Sequence, residues 1–95
     1  MPIHVHAKMY INDDGKLADE IKTMIEVSLK DPGCLGYTFY QNILDKTQYI
    51  MVEKWESKEL LEQHMKAPHF IKLGEYMKKV SLKPMELEII EEKNK

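Results

Sequence analysis

Four side chains that can move protons or hold an aromatic ligand lie close together along the chain, between residues 53 and 70. They are Glu53, Trp55, His64 and His69. A histidine titrates near neutral pH and is the commonest general base in enzymes. A carboxylate that accepts a hydrogen bond from the imidazole would orient the ring and stabilise its charged form. The segment therefore predicts proton transfer by His64, with Glu53 as the carboxylate that supports it.

Secondary-structure signals place these side chains on one strand and one helix. The run from Tyr49 to Trp55 is aromatic and β-branched, as is typical of a strand, and alternate residues of a strand share one face. Ser57 is a good N-cap for a helix over residues 58–66, which ends because Pro68 disfavours helical geometry at the residue before it. His64 falls on the apolar arc of this helix. We expect the helix to bring His64 towards the strand face that carries Glu53 and Trp55.

Composition limits the classes of protein that fit the chain. Its 95 residues suffice for one domain, which we place over residues 1–95. The net charge is −2 and arginine is absent, so no nucleic-acid partner is expected, because phosphate recognition favours arginine and a basic face. No apolar run approaches the ~20 residues of a membrane span. A single cysteine, Cys34, fits a reducing compartment. We expect a cytoplasmic protein without a membrane partner.

Hydrophobic periodicity predicts the element order β-α-β-β-α-β. The predicted strands cover residues 3–11, 34–42, 48–55 and 85–92, and the predicted helices cover residues 16–30, 58–66 and 69–81. The second helical region is broken at Pro68, and the first helix ends at Asp31-Pro32-Gly33. This order is that of the ferredoxin-like split βαβ, an α+β fold with an antiparallel four-stranded sheet.

Both faces of the predicted sheet carry apolar side chains. Simple alternation puts Tyr37 on the face opposite Cys34 and Tyr40, and it puts Val52 opposite Met51. The helices of this fold cover only one face, so a monomer would leave a large apolar patch exposed. Such a patch usually marks an interface. The predicted assembly is a homodimer packed sheet to sheet.

Four motifs follow one another along the chain: residues 32–37 read PGCLGY, residues 52–57 read VEKWES, His64 stands alone, and residues 67–70 read APHF. In this order and spacing they resemble the antibiotic biosynthesis monooxygenase (ABM) domain family, from the first strand to about Ile90. The resemblance implies a dimeric α+β barrel of ferredoxin-like protomers. It also implies a cofactor-independent monooxygenase that oxidises a quinol or related aromatic polyphenol with molecular oxygen, using no metal, flavin or haem.

Oxidation of this kind needs a general base and a pocket that is lined by aromatic side chains and excludes bulk water. A quinol must lose a proton to become a good electron donor, and a pocket that excludes bulk water can hold its ring. The predicted catalytic residues are His64, Glu53 and Trp55. The predicted substrate-binding residues are Tyr49, Met51, His69, Phe70 and Tyr37.

Other interpretations of the same residues stay open. An inward histidine is more often a satisfied core residue than a catalytic one, and Trp55 is as consistent with core packing as with the wall of such a pocket. His4 and His6 share a strand face without a nearby carboxylate or cysteine, which is weak evidence for a metal, so no metal site is predicted.

A second class of function is a non-catalytic, small-ligand-binding dimeric α+β barrel domain, since fold does not determine function. An isomerase or a haem-binding relative on the same fold is a further alternative. The haem-degrading relatives use an asparagine in the first strand, and this chain has none before Asn12.

Overall fold

A computed structural model describes residues 1–93, and the last two residues of the predicted domain lie outside this range. The elements are β1 (Ile3–Ile11), α1 (Leu17–Ser28), β2 (Cys34–Gln41), β3 (Gln48–Trp55), α2 (Lys58–Met65), α3 (Pro68–Val80) and β4 (Ser81–Glu91). The strands form one antiparallel sheet in the order β2-β3-β1-β4. The predicted ferredoxin-like α+β fold is confirmed. Within residues 1–93, no helix combines the length and the apolar character that crossing a membrane requires.

The core lies between one face of this sheet and the helices. Strands β1 and β3 alternate strictly between buried and more exposed positions, because successive side chains of a strand point to opposite faces. Helix α1 contributes Leu17, Ile21 and Met24, which lie three or four residues apart and so share one stripe of the helix. The buried side chains of β3 are those predicted to share a face: Tyr49, Met51, Glu53 and Trp55.

A bulge in β2 decides which of its side chains face the helices. The register between β2 and β3 shifts between Cys34 and Gly36, so that Cys34 pairs with Trp55 and Tyr37 pairs with Glu53. Both Cys34 and Tyr37 therefore lie on the inward side. The prediction that these two side chains occupy opposite faces is wrong, because the extra residue of a bulge interrupts the alternation of the strand.

The edge strand β4 begins earlier than predicted, at Ser81, directly after α3. Its register with β1 shifts between Lys8 and Tyr10, on the stretch of β4 that contains Pro84. Proline cannot donate a hydrogen bond to the ladder and is tolerated at bulges and on edge strands. The strand thus continues through the proline that the sequence-based prediction placed before its start.

The break between α2 and α3 follows the predicted capping signals. The Ser57 hydroxyl accepts a hydrogen bond from the backbone N–H of Leu60, at 3.3 Å, which begins α2. Helix α2 ends at Met65, and Pro68 occupies the first turn of α3, where its missing N–H costs nothing. The two helices carry His64 and His69 to the same end of the sheet.

Candidate functional site

A cavity of about 440 Å³ lies between the inward face of the sheet and helices α2 and α3. Its wall is almost entirely apolar and includes Val5, Met51, Leu61, Met65, Phe70 and Leu73. Side chains of β4 at its margin, such as Leu87 and Ile89, are about half exposed, so the cavity opens to solvent along this edge strand. Its volume falls within the ~300–1,000 Å³ of ordinary small-molecule sites.

Glu53 supplies the carboxyl group in this apolar wall. The alternation of β3 turns Glu53 inward, where it is only 6% exposed. Its Oε1 accepts a hydrogen bond from Nε1 of Trp55 at 2.9 Å. Burial raises the pKa of Glu53 to about 7, although the bond from Trp55 favours the carboxylate and lowers it. A carboxyl group half ionised near neutral pH can both take up and return a proton.

Tyr37 stands next to Glu53 across the β2–β3 ladder and also lines the cavity. Burial and, after it, the negative charge of Glu53 raise the pKa of Tyr37 far above its ordinary value of 10. Its hydroxyl therefore keeps its proton at neutral pH. Tyr37 thus contributes its ring to the cavity wall and cannot act as the base.

His64 lies behind the cavity wall. The residue is buried, and its ring centroid lies 4.5 Å from that of Trp55 and 5.2 Å from that of Phe70. Its Nδ1 lies 2.8 Å from Oδ2 of Asp31. Burial lowers the pKa of His64 below its ordinary 6.5, although the contact with Asp31 raises it. The ring is therefore mainly neutral at pH 7.

Glu53 and His64 both lie on the helix side of the sheet, but the contact predicted between them, directly or through one water, is not made as a direct hydrogen bond. The carboxylate that contacts His64 is Asp31, which follows α1, whereas Glu53 binds the indole two positions further along its own strand. Asp31 also contacts Nε2 of His69, at 2.8 Å from the same Oδ2. Asp31 was recognised in the sequence only as part of a helix-ending signal. No spacing pattern relates it to histidines more than thirty positions later.

The structure brings most of the predicted site residues together. Four of them line the cavity: Glu53, Tyr37, Met51 and Phe70. Trp55, His64 and His69 are not among the described residues of the cavity wall, and they form a layer directly behind it.

Tyr49 lies apart from the cavity. It stacks on Phe39, with ring centroids 5.2 Å apart, and lines a separate depression beside α1. A strand rises ~3.3 Å per residue, so four positions along β3 place Tyr49 ~13 Å from Glu53 although both face the helices.

Comparison with known proteins connects this chain to one family. The family model described as antibiotic biosynthesis monooxygenase matches residues 2–75, a range that contains all eight predicted site residues. An uncharacterized protein of Synechocystis, sll1783, is 31% identical over 68 residues, which are 72% of this chain and 46% of that protein. The chain thus spans about half the length of this curated relative.

Solved structures share the fold along its whole length. Rv0793 from Mycobacterium tuberculosis superimposes with a TM-score of 0.89 at 20% identity, covering 100% of this chain and 98% of that one. A conserved protein from Methanosarcina mazei superimposes with a TM-score of 0.86 at 28% identity, covering 98% of this chain and 94% of that one.

Proposed function

The chain belongs to the antibiotic biosynthesis monooxygenase family, and from this membership we propose that it oxidises a quinol or a related aromatic polyphenol with molecular oxygen. The reaction takes place in the cavity beside Glu53 and uses no flavin, haem or catalytic metal. One observation carries the proposal: a carboxyl group with a pKa of about 7 lies in the apolar wall of a cavity large enough for a small aromatic molecule.

Removal of a proton from the substrate is the first step. Because Oε1 of Glu53 is engaged by Trp55, we assign the proton to Oε2. The resulting quinolate gives one electron to oxygen, and the two radicals combine at a ring carbon that carries hydrogen, which forms the C–O bond of a peroxide. The O–O bond then breaks as this carbon loses its hydrogen to the leaving oxygen, so that hydroxide leaves and a hydroxyquinone forms. One quinol and one O₂ give one hydroxyquinone and one H₂O, and Glu53 returns its proton to the leaving hydroxide.

The apolar wall suits this chemistry in two ways. Met51, Leu61 and Phe70 form a dry surface against which an aromatic ring can pack, and exclusion of bulk water protects reactive intermediates. At the margin of the cavity, Lys78 carries positive charge, which attracts a phenolate towards the opening.

His64, Glu53 and Trp55 take roles in this reaction that differ from those predicted from the sequence. The sequence pattern favoured His64 as the base, but the described cavity wall does not include it and its Nδ1 is engaged by Asp31. We assign the base to Glu53. Trp55 becomes a positioning residue through its bond to Glu53, and His64 supports Trp55 by packing against the indole ring.

We also propose that two chains pair through the face of the sheet that the helices leave uncovered, which we call the open face. Tyr40 and Ile90 are about half exposed on this face, and Ile50 and Val52 lie at its centre. An apolar patch of this kind usually marks a protein interface. The pairing would produce the homodimeric α+β barrel that the family resemblance implies.

Oxygen consumption tests the proposed activity. Protein stripped of metal, flavin and haem is mixed with a reduced naphthoquinol, and the rate of autoxidation without protein is subtracted. Glu53→Gln keeps an acceptor for the Trp55 indole but cannot take up a proton. We expect it to lower the rate by ~10²–10⁴-fold, the usual contribution of a general base. Glu56→Gln, at an exposed neighbouring position, should leave the rate unchanged.

Labelled oxygen separates monooxygenation from simple electron transfer. With ¹⁸O₂, the hydroxyquinone should carry one labelled oxygen atom. A wild-type rate no higher than autoxidation across several quinols would overturn the proposed activity. Saturable quenching of Trp55 fluorescence by the quinol without turnover would instead identify a non-catalytic binding domain.

A further inference from the structure

Asp31, His64 and His69 form a compact cluster at the junction of three elements. Asp31 follows α1, His64 lies on α2, and His69 lies in the first turn of α3. One nitrogen of each imidazole lies 2.8 Å from Oδ2 of Asp31, and the three atoms all lie within 4.8 Å of one another. Across residues 1–93, this is the one group of three potential ligands so arranged. We propose that it binds a divalent first-row transition-metal ion.

The ligand set and its spacing suit such an ion. Two imidazole nitrogens and one carboxylate oxygen are donors that zinc and its neighbours in the first row accept. Two ligand atoms each ~2.05 Å from an ion lie ~3.3 Å apart in a tetrahedral site and ~2.9 Å apart where the bonds meet at a right angle, as in octahedral sites. The observed spacing of 2.8 Å between each nitrogen and Asp31 is close to the right-angle value. Near-right angles leave further positions of the ion open to water.

Solvent and ions can reach the cluster from the side on which Asp31 and His69 lie. Their side chains are 18% and 21% exposed, whereas the side chain of His64 is 1% exposed. An ion can therefore enter with part of its water shell and bind His64 from the outer side. The cavity lies on the opposite side of His64, so the ion would act on structure and would not touch a substrate.

The hydrogen bonding of His64 is incomplete without a cation. If the proton is on Nδ1, it is donated to Asp31, and Nε2 remains a buried acceptor without a partner. A buried polar atom without a partner has lost its hydration without replacement, which disfavours the folded state.

In the other tautomer of His64, Nδ1 is the nitrogen without a suitable hydrogen-bond partner. With the proton on Nε2, the N–H lies among the rings of Tyr37, Trp55 and Phe70, which can accept a weak hydrogen bond. The lone pair of Nδ1 then faces the carboxylate of Asp31. A metal ion between these two atoms removes the repulsion and lets Nε2 keep its proton.

An ion at this position would connect α1, α2 and α3. The competing explanation is that Asp31 simply accepts two hydrogen bonds and holds the helices without an ion. The two explanations differ in whether the protein binds metal, and neither depends on the proposed oxidation of quinols.

Calorimetric titration of the untagged full chain with Zn²⁺ tests the site. We expect one ion per chain. Asp31→Asn keeps the shape of the side chain and removes its charge, and His69→Ala removes a ligand at a partly exposed position. Each should weaken binding by more than the ~10–100-fold that loss of an outer-shell partner costs. His6→Ala is the matched control, because His6 contacts Glu88 at 3.3 Å in an exposed pair without a second imidazole.

Two further measurements keep the test decisive if a variant folds poorly. Co²⁺ bound to the wild type should give visible d–d absorption, and Zn²⁺ should shift the NMR signals of the His64 and His69 rings while leaving those of His4 and His6 in place. Zn²⁺ should also raise the melting temperature of the wild type, because it binds only the folded state. Absence of saturable binding by the wild type, or unchanged affinity in Asp31→Asn and His69→Ala, would overturn the proposal.

Discussion

The ionisation of Glu53 links the candidate site to the stability of the folded chain. Its pKa rises from 4.5 to about 7 on folding because burial disfavours the charged form. Below pH 4.5 both the folded and the unfolded chain hold this proton, and well above pH 7 neither does. The stability of the folded state therefore falls as the pH rises between these values, by up to ~3 kcal/mol.

Glu53→Gln should remove most of this loss. Urea unfolding of wild type and variant at pH 4.5 and pH 8 gives the difference in free energy of unfolding at each pH. The wild type should lose more stability than the variant on going to pH 8. Any constant cost of the buried amide cancels in this comparison. Parallel losses in the two proteins would show that Glu53 does not titrate with a raised pKa.

Trp55 controls the same proton through its indole N–H. Trp55→Phe keeps an aromatic ring but removes the donor that stabilises the Glu53 carboxylate. The pKa of Glu53 should then rise above 7, and the pH at which oxygen uptake reaches half its plateau should rise with it. The position of this midpoint is the measurement, since loss of ring volume also lowers stability and rate. A folded variant with an unchanged midpoint would contradict the role assigned to the indole.

Among the elements, the junction between α1 and β2 depends on a glycine. Gly33 has φ of +81°, and a β-carbon there would collide with the side chain of Leu60 on α2. Gly15 has φ of +88°, but a β-carbon there would meet nothing within 4 Å. Alanine in this left-handed conformation costs ~1–2 kcal/mol at either position. Gly33→Ala should cost more than Gly15→Ala in chemical unfolding, because α2 must also move. Equal costs would show that the contact with Leu60 relaxes freely.

Elements with strong local signals could be predicted from the sequence. The bounds of β1 and β3 match the prediction because their apolar and polar residues alternate without interruption, and Ser57 begins α2 as its hydroxyl predicts. The alternation in β3 also placed Glu53 beside the cavity. Features that depend on contacts distant in sequence could not be predicted.

The carboxylate at His64 is the clearest example of such a feature. The predicted partner was Glu53, whose position on β3 was correct, but the bond goes to Asp31, which the fold brings to α2 from a distant loop. The inward side of Cys34 depends on a bulge whose effect on side-chain direction the glycine signal did not specify. Tyr49 shares a face with Glu53, yet distance along the strand removes it from the cavity.

For the whole molecule, the open face of the sheet predicts self-association. Val52 lies at its centre, paired with His6 on one side and Thr38 on the other. Sedimentation at micromolar concentration should give twice the mass of one chain for the wild type. Val52→Glu should shift this equilibrium towards the monomer, because pairing would bury an uncompensated charge. Lys72→Glu, on the exposed surface of α3, should not. A monomeric wild type would contradict the proposed dimer.

The pH dependence of kcat/KM for oxygen uptake tests the central claim most directly. Besides Glu53, the titratable groups of the described cavity wall are Tyr37, whose pKa is raised above 10, and Lys78 and Lys83 at the margin. With autoxidation subtracted at each pH, the wild-type value should rise with pH and level off above a midpoint near 7, where Glu53 becomes ionised. Glu53→Gln should show a low rate without this midpoint. The same midpoint in Glu53→Gln, or full activity in that variant, would show that Glu53 is not the base.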